Sequence, residues 1–137
     1  MTKLEHKITV RLIDFLLDYE DICNWWKGWD MPPIPVPFLP PTAFVAEYNG
    51  EKVAAAFLYK TDSLVCCLDW FITNPKAPKR AVIAGIDAVI EKGGAHAKSA
   101  GYHFMYNSVE NRVVLNRLTK AGYEVKEINR ANVVRKL

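Results

Sequence analysis

The sequence predicts one α/β domain of the α+β kind, with helices on both faces of a mixed, mostly antiparallel sheet. Two apolar runs flank Asn49-Gly50, a turn pair typical of a hairpin, and therefore indicate antiparallel strands. Residues 63–108 read as strand, helix and strand, an order that requires a right-handed crossover and a parallel pair. At 137 residues the chain is long enough to bury a core, and we expect a single domain over residues 1–137.

The first half begins with a predicted strand at residues 7–13 and a helix at residues 18–29, which has apolar residues at helical spacing. Six prolines in residues 32–41 exclude both a helix and a central strand, so this segment is expected to be extended. The hairpin follows at residues 42–62. Residues 63–73 form the next predicted strand, which is apolar on both faces and hence central.

The second half contains two predicted amphipathic helices. The first continues to about Ala100 and is capped by Gly101, and the second covers residues 109–125 and ends at Gly122. A strand at residues 102–108 lies between the two helices. We expect a last strand at residues 132–137, NVVRKL, to close the chain.

Composition and charge limit the functional classes. A net charge of +3 favours an anionic ligand but is too small for a typical nucleic-acid-binding protein. The charged N-terminal segment does not resemble a signal peptide, and no apolar run is long enough for a membrane span. We therefore expect no membrane association and a cytoplasmic location. The three cysteines lack metal-type spacing and are interpreted as reduced thiols, and no metal site is predicted.

Two segments, ENRVVLNRLTKAGYE at residues 110–124 and CLDWFITNP at residues 67–75, resemble motifs of a known family, the GNAT superfamily of acyl-CoA-dependent N-acyltransferases. ENRVVLNRLTKAGYE is similar to the late helix of that family, which begins at an asparagine, here Asn111, and ends in Gly-aromatic, here Gly122-Tyr123. CLDWFITNP resembles the family's central strand and its corner, Ile72 to Pro75. The loop also resembles the NP-x-A-x-x-R style of small, divergent GNAT-type proteins of tailed bacteriophages, which would place the protein in the host cytoplasm.

The resemblance implies acetyl-CoA as cosubstrate and a binding site along the strand and the helix after it. The pantetheine arm would contact the backbone of Phe71, Ile72 and Thr73, and Asn111 would add a polar contact. A helix start binds anions through its free N–H groups and partial positive charge. The pyrophosphate would therefore lie at Pro78, Lys79, Arg80 and Ala81. The alternatives are an ordinary helix start with two solvated cations, and an asparagine that caps its own helix.

Two positions depart from the family pattern. Ile83 replaces the middle glycine of the phosphate loop, where a side chain crowds the phosphates. Leu118 replaces the tyrosine that serves many members as general acid on the thiolate leaving group. Leu118 is therefore interpreted as a core residue.

Two carboxylates are candidates for the general base that deprotonates an acceptor amine. Asp69 lies in an apolar strand where the family often places an acid, and Glu47 lies on the hairpin. The alternatives are a strand-end carboxylate that faces solvent or pairs with a cation for Asp69, and an alternating surface position for Glu47.

An acceptor pocket is expected in the aromatic and proline-rich segment, because in the family the early helix and following loop wall the substrate side. Its predicted lining consists of Trp25, Trp26, Trp29 and Phe38. The alternative is that the tryptophans pack the first helix onto the sheet.

Two functions fit these observations. The first is acetyl transfer from acetyl-CoA to the primary amine of a small molecule or a protein. The second is an inactive GNAT-fold phage protein that acts as a binding or virion component, which the missing glycine and tyrosine favour. The sequence does not determine the oligomeric state, and a homodimer is compatible with either function.

Overall fold

A five-stranded sheet forms the centre of the protein in a computed structural model that describes residues 7–137. The strands lie in chain order, and their neighbours pair antiparallel except for the last pair, which is parallel. This arrangement confirms the predicted mixed, mostly antiparallel sheet and the parallel strand–helix–strand unit. The strands are β1 (Ile8–Leu12), β2 (Ala43–Tyr48), β3 (Glu51–Tyr59), β4 (Val65–Thr73) and β5 (Phe104–Tyr106).

Three helices cover the two faces of the sheet, as predicted. Helix α1 (Phe15–Gly28) packs on one face through Ile22, Trp25 and Trp26. Helices α2 (Lys79–Ser99) and α3 (Arg112–Lys120) pack on the other face. The proline-rich segment is irregular apart from one short 3₁₀ turn, Val36–Phe38. The core therefore has two apolar layers, one on each side of the sheet.

The predicted turns form where the sequence signals lie. Asn49 and Gly50 both have positive φ, 51° and 86°, which is the backbone of the tight hairpin turn. Gly101 and Gly122, each just beyond a helix, have φ of 96° and 100°. Helix α1 begins earlier than predicted because the Asp14 side chain accepts a hydrogen bond from Leu16 N.

The predicted last strand is wrong. Residues 124–137 form neither helix nor strand, so residues 132–137 add nothing to the sheet. Apolar alternation indicates that a segment can form a strand, but a strand is stable only when a partner supplies its hydrogen bonds. Helix α3 is also shorter than predicted, since it begins only after Asn111.

Gly85 brings α2 close to the sheet. A Cβ placed there would lie 2.6 Å from Val53 Cγ2 and 3.1 Å from Ala54 Cβ. Gly85→Ala is expected to lower the free energy of unfolding by about 1–3 kcal/mol, because overpacking exceeds the gain in helix propensity. Urea unfolding measures this change.

Gly94 is the matched control on the same helix, since a Cβ placed there meets no atom within 4 Å. Gly94→Ala is expected to raise the free energy of unfolding by about 0.5–1 kcal/mol. Equal effects of the two substitutions would refute the close approach at Gly85.

Candidate active site

The candidate site begins where β4 and β5 separate. Their pairing ends at Cys67 and Tyr106, although β4 continues to Thr73. Two contacts from the segment after β5 span the opening: Asn107 Nδ2 donates to Leu68 O, and Ser108 N donates to Asp69 Oδ1 at 2.9 Å. The backbone pairing of β4 with β5 thus ends two residues before Asp69, and this end of the pairing is called the β4–β5 opening.

A β-bulge in β4 lies directly beside this carboxylate. Ala55 pairs with Ile72 and Phe57 pairs with Asp69, so two residues of β4 oppose the single residue between them on β3. Trp70, within the bulge, has φ of 56°, a backbone region that non-glycine residues rarely adopt. Such outliers persist where the surrounding structure imposes them, often at functional sites. Here the bulge sets the direction of the strand beyond Asp69.

Asp69 has the electrostatics of a carboxylate in a desolvated site. Burial raises its pKa above the ordinary aspartate range, and the hydrogen bond from Ser108 N offsets part of that rise. Among the described residues no donor lies within hydrogen-bond distance of its second oxygen, Oδ2. Asp69 therefore keeps one acceptor oxygen for an external proton donor.

Glu47, the second predicted base, lies in a different environment. It is in the β2 register opposite Lys52, near the hairpin turn, and its Oε1 accepts from Arg11 Nε at 2.7 Å. Asp69 pairs instead with Phe57, five residues along β3 from Lys52. The two candidate bases therefore lie apart by more than half the length of β3.

Asn74 organises the corner that follows β4. Its side chain donates to Lys52 O at 3.1 Å and accepts from Lys76 N at 3.0 Å, and its carbonyl accepts from Ala77 N. These bonds turn the chain from the end of β4 into α2 without a glycine. The hydrogen bonds of the Asn74 side chain therefore hold the corner in shape.

Helix α2 begins at the residues predicted to bind pyrophosphate. Pro78 is its N-cap residue with extended backbone, and no side chain caps the helix. Lys79 and Arg80 are exposed, whereas Ala81 is buried against the sheet. The first N–H groups of a helix lack intrahelical acceptors, but Ala81 N already donates to Pro78 O at 3.0 Å, so the N–H groups of Lys79 and Arg80 are the ones left for an anion. The helix start and its two cations thus suit an anion, but the proline-flanked loop offers no glycine cradle.

Ile83, the position at which the resemblance expects the middle glycine of a phosphate loop, lies within α2 in this chain. Ile83 is half-buried on the helix, and Gly85 packs against β2 and β3. Gly85 therefore permits helix–sheet packing. Any phosphate contact at this corner must come from the helix start itself.

The three strand residues predicted to contact a pantetheine arm lie beyond the point of separation. Phe71 packs against the α2 side, and Ile72 is buried on the α1 side. The carbonyl of Thr73 accepts a hydrogen bond from Trp29 Nε1 at 2.9 Å. Asp69 lies four residues before Thr73, or about 13 Å along the strand. An extended arm is therefore needed to reach from the corner to the carboxylate.

Helix α3 and the turn after it contain three residues that the sequence analysis singled out, Asn111, Leu118 and Tyr123. Asn111 is the N-cap residue, and its Oδ1 accepts from Val113 N and Val114 N at 2.9 and 3.2 Å. Leu118 is buried in the core. Burial raises the pKa of Tyr123 to about 12, with a further contribution from Cys66. Tyr123 is consequently a weaker proton donor than an ordinary tyrosine.

The aromatic segment divides into buried and exposed residues. Trp25 and Trp26, on α1, are buried between that helix and the sheet, and Trp26 stacks on Phe57 with ring centroids 6.3 Å apart. Trp29 and Phe38 each expose about half of their surface, 51% and 49%. Only this exposed pair presents aromatic surface outward from the segment.

Two tyrosine hydroxyls hold the proline-rich segment in place. Tyr19 Oη donates to Ile34 O at 2.7 Å, and Tyr59 Oη donates to Phe38 O at 2.6 Å. Burial raises the pKa of Tyr59, and the nearby Asp69 charge adds to the rise. The segment is therefore fixed on the same side of the sheet as Asp69.

Two surface grooves lie elsewhere in the described part of the chain. One of about 490 Å³ lies between α2 and α3 and includes the Arg117–Asp87 ion pair. Another of about 700 Å³ lies between the end of α2 and β5. Asp69, Lys79 and Arg80 line neither of them.

Two other kinds of site are absent from residues 7–137. No three His, Cys, Asp or Glu side chains there are placed to hold a metal ion. Over the same residues, no helix is long and apolar enough to cross a membrane.

Three polar residues of this site were not predicted from the sequence. For Asn74 the sequence does contain a local pattern that indicates its role, because an Asn-Pro pair favours turns. No local pattern indicates the roles of Asn107 and Ser108, since their partners Leu68 and Asp69 are 39 residues away in the chain. Nonlocal contacts of this kind appear only once the strands are paired.

Comparison with known proteins identifies the fold. No protein-family model matches the sequence, and no curated protein matches it. Among solved structures, a probable acetyltransferase matches with a TM-score of 0.68 and 16% identity over 95% of this chain and 99% of that one. An acetyltransferase of Trypanosoma brucei matches with a TM-score of 0.65 and 14% identity, covering 93% of this chain and 100% of its own.

A third similar structure is an aminoglycoside acetyltransferase from an uncultured soil metagenomic sample. Its TM-score is 0.63 and its identity 9%, over 95% of this chain and 96% of that one. The matches cover almost the whole of both chains in each case, so they concern the complete domain. The chain therefore has the fold of the GNAT acetyltransferases.

Proposed function

We propose that the protein is an acyl-CoA-dependent N-acyltransferase that transfers an acetyl group from acetyl-CoA to a primary amine. One observation supports the proposal: the desolvated carboxylate of Asp69 lies in β4 just beyond the end of the β4–β5 pairing, and the short corner after β4 leads into the cationic start of α2. The acetyltransferase fold of the similar structures supports the same reaction class.

The start of α2 and the end of β4 bind different parts of the cosubstrate. The free N–H groups at the start of α2, with Lys79 and Arg80, bind the pyrophosphate of the cosubstrate. The backbone of Phe71, Ile72 and Thr73 guides the pantetheine arm toward Asp69. Asn111 contributes only its side-chain Nδ2, because its Oδ1 caps α3. Acetyl-CoA supplies an activated thioester at the end of that arm.

Asp69 acts as the general base. As the acceptor nitrogen attacks the thioester carbonyl, an N–C bond forms, the C–S bond breaks, and the amine proton passes to Asp69 directly or through water. Solvent protonates the departing thiolate, because Leu118 is apolar and the pKa of Tyr123 is raised. Positioning of the two reactants supplies much of the acceleration.

The acceptor binds on the α1 side, beside the proline-rich segment. Trp29 and Phe38 expose flat apolar surface there, while Trp25 and Trp26 support it from the core. An amine carried by a small molecule or by a protein side chain fits such a surface. The aminoglycoside acetyltransferase among the similar structures supports an amine acceptor.

Calorimetric titration with acetyl-CoA and with CoA tests the cosubstrate. Lys79→Ala combined with Arg80→Ala is expected to weaken binding by about tenfold or more, because two charge-assisted contacts are lost. The matched control is Lys92→Ala combined with Lys98→Ala, which makes the same charge change on the same helix. Absence of binding at millimolar ligand would refute the proposal, and equal weakening by both pairs would refute the anion site.

A second candidate function is an inactive GNAT-fold protein, of phage origin, that serves as a binding or virion component. Two observations favour it: Leu118 is buried core at the general-acid position, and Ile83 lies within α2 at the glycine position. This candidate predicts a stable macromolecular partner and no binding of acetyl-CoA in the titration above.

A further inference from the structure

Helix α1 covers only part of its side of the sheet. It packs on β2 and β3, where Val45 and Phe57 are buried. Toward β5 the same face remains exposed. Cys66 belongs to the core on the α2 side, so Cys67 faces the α1 side, and Tyr106, its partner in the parallel register, faces the same way. Since Tyr106 is 45% exposed, this face is accessible beside the β4–β5 opening.

Aromatic side chains lie around Asp69 on this face. Burial raises the pKa of Tyr59, the Trp70 side chain opposes that rise by a hydrogen bond, and the Asp69 charge adds to it. Trp70 and Asp69 therefore lie beside the Tyr59 hydroxyl, which donates to Phe38 O at 2.6 Å. Tyr106 lies across β4 from Tyr59, because both pair with the same residue of β4. These four aromatic residues, Phe38, Tyr59, Trp70 and Tyr106, are called the aromatic surface, and all except Tyr59 are exposed.

Negative charge at the aromatic surface is concentrated at Asp69, in the part of the chain that the structure describes. Burial raises the pKa of Asp69, the hydrogen bond from Ser108 N opposes the rise, and no neighbouring charge contributes. At the far end, Arg130 Nη1 donates to Tyr106 Oη at 2.7 Å, and Arg130 Nε lies 3.6 Å from a Glu127 oxygen. The surface thus matches a ligand with one ammonium group, which lies at Asp69.

The spacing between the carboxylate and the rings limits the size of the ligand. Tyr59 and Tyr106 both pair with Cys67, which lies two residues before Asp69, or about 7 Å along the strand. A short alkyl spacer between a nitrogen and an aromatic ring covers this distance. An amine at Asp69 consequently brings a ring attached in this way over the aromatic surface, where ring–ring contacts add to the burial of apolar area.

A second ammonium group on the ligand would be unfavourable at this surface. Arg130 repels it at the Tyr106 end. Moving it from water onto apolar surface costs hydration free energy unless a carboxylate pairs with it. The attraction of a cation to an exposed ring face offsets only a small part of that cost. Polyamines and other polycations are therefore poor ligands for the aromatic surface.

We propose that the acceptor is a primary amine joined by a short alkyl spacer to an aromatic ring, with no second charge. Its nitrogen lies at Asp69, and its ring lies on the aromatic surface against Trp70 and Tyr106. This inference rests on the proposed acetyl transfer and specifies its acceptor.

Release of CoA with three matched amines tests the acceptor class. Phenethylamine has the spacer and the ring, butylamine lacks the ring, and the para-aminomethyl derivative of phenethylamine adds a second ammonium group to the same skeleton. With concentrations expressed as the unprotonated amine, kcat/KM for phenethylamine is expected to exceed that for each of the others by about tenfold or more.

Tyr106→Ala tests where the ring binds. It is expected to lower the ratio of kcat/KM for phenethylamine to that for butylamine by about fivefold or more, because a ring contact is lost. The matched control is Phe104→Ala. Phe104 is 67% exposed on the same strand and face but lies two residues farther from Asp69, so its substitution should leave the ratio unchanged. Equal loss of the ratio in both variants would overturn the placement of the ring.

A binding measurement separates this inference from the proposed function. Calorimetric titration of the same amines into protein saturated with CoA ranks them without turnover, and this ranking decides if no amine is acetylated. If acetyl-CoA binds but butylamine or the diamine equals or exceeds phenethylamine, the acceptor class is overturned and the acetyl transfer stands. Absence of acetyl-CoA binding overturns both. Circular dichroism verifies that each variant is folded, and the ranking by the unmodified protein decides if Tyr106→Ala is not.

Discussion

Asp18→Asn is expected to lower the free energy of unfolding by about 2–3 kcal/mol at neutral pH, because the buried carboxylate loses its charge-assisted hydrogen bonds with Arg11 and Lys52. The Asp18 side chain is 0% exposed and lies on the inner face of α1. Both its oxygens accept from Arg11, at 2.8 and 2.9 Å, and it also accepts from Asp14 N at 2.9 Å. Lys52 Nζ lies 2.7 Å from Oδ1, so the network joins α1 to both β1 and β3.

The same network makes stability depend on pH. Hydrogen bonds from Arg11 hold the pKa of Asp18 well below its usual range, and Lys52 adds to that effect despite the opposing cost of burial. A carboxylate whose pKa is lower in the folded than in the unfolded state stabilises the fold above its unfolded pKa, about 3.9. This stabilisation is expected to disappear as the pH falls below about 4, and Asp18→Asn should lack that part of the acid dependence.

Asp21→Asn provides the control for both measurements. Asp21 also contacts Lys52, at 2.8 Å, but its side chain is half exposed. A pair of this kind contributes less than about 1 kcal/mol, so its loss should be small. If urea unfolding gave similar values for the two variants, Asp18 would not be the centre of the network.

Asp69→Asn is expected to reduce kcat for acetyl transfer by about 10²–10⁴-fold, the usual contribution of a general base. Asparagine keeps the shape of the side chain and its acceptor for Ser108 N, but it cannot take the proton of the acceptor amine. Release of free CoA in the presence of a panel of primary amines measures the rate. Binding of acetyl-CoA should be unchanged, which separates the chemical step from binding.

The pH profile gives a second readout of the same residue. Because burial raises the pKa of Asp69, the wild-type rate should fall as the pH drops through a value above the ordinary aspartate pKa. The inflection should be absent in Asp69→Asn. For stability the sign is opposite to that of Asp18, since a raised folded pKa means that the ionised form opposes folding at neutral pH. Asp69→Asn should therefore not lower the free energy of unfolding.

Glu47→Gln distinguishes the two predicted bases. Glu47 is bound to Arg11 and lies near the hairpin turn, away from the β4–β5 opening. Its substitution should change kcat by less than about threefold, consistent with a part-exposed ion pair. A loss of activity in Glu47→Gln and not in Asp69→Asn would reverse the assignment of the base.

The order of the elements could be predicted because most of their signals are local. Asn49-Gly50 specifies a tight turn by its own backbone preferences, and the prolines of residues 32–41 exclude a long helix and a central strand. Helix α2 follows from the spacing of its apolar residues. These preferences belong to a few neighbouring residues and are therefore visible in one sequence.

The candidate site could be predicted only in outline. The motif resemblance indicated β4 and the start of α2, and with them Asp69, Lys79 and Arg80. It gave no sign of the bulge at Trp70 or of the contacts that Asn107 and Ser108 make across the opening. A bulge depends on the register with a neighbouring strand, which no local pattern records.

The sequence by itself determined the order of the three helices and the five strands of the sheet and the places where the chain turns, because these choices depend on neighbouring residues. Tertiary structure decided the rest. Asp18 read as an acidic residue near a helix start, but its burial depends on Arg11 and Lys52 from two strands. Residues 132–137 read as a strand, but pairing requires a partner's hydrogen bonds, and within its own chain that segment has none. The energies of buried charges and of strand pairing come from groups far apart in the chain, so only the folded arrangement sets them.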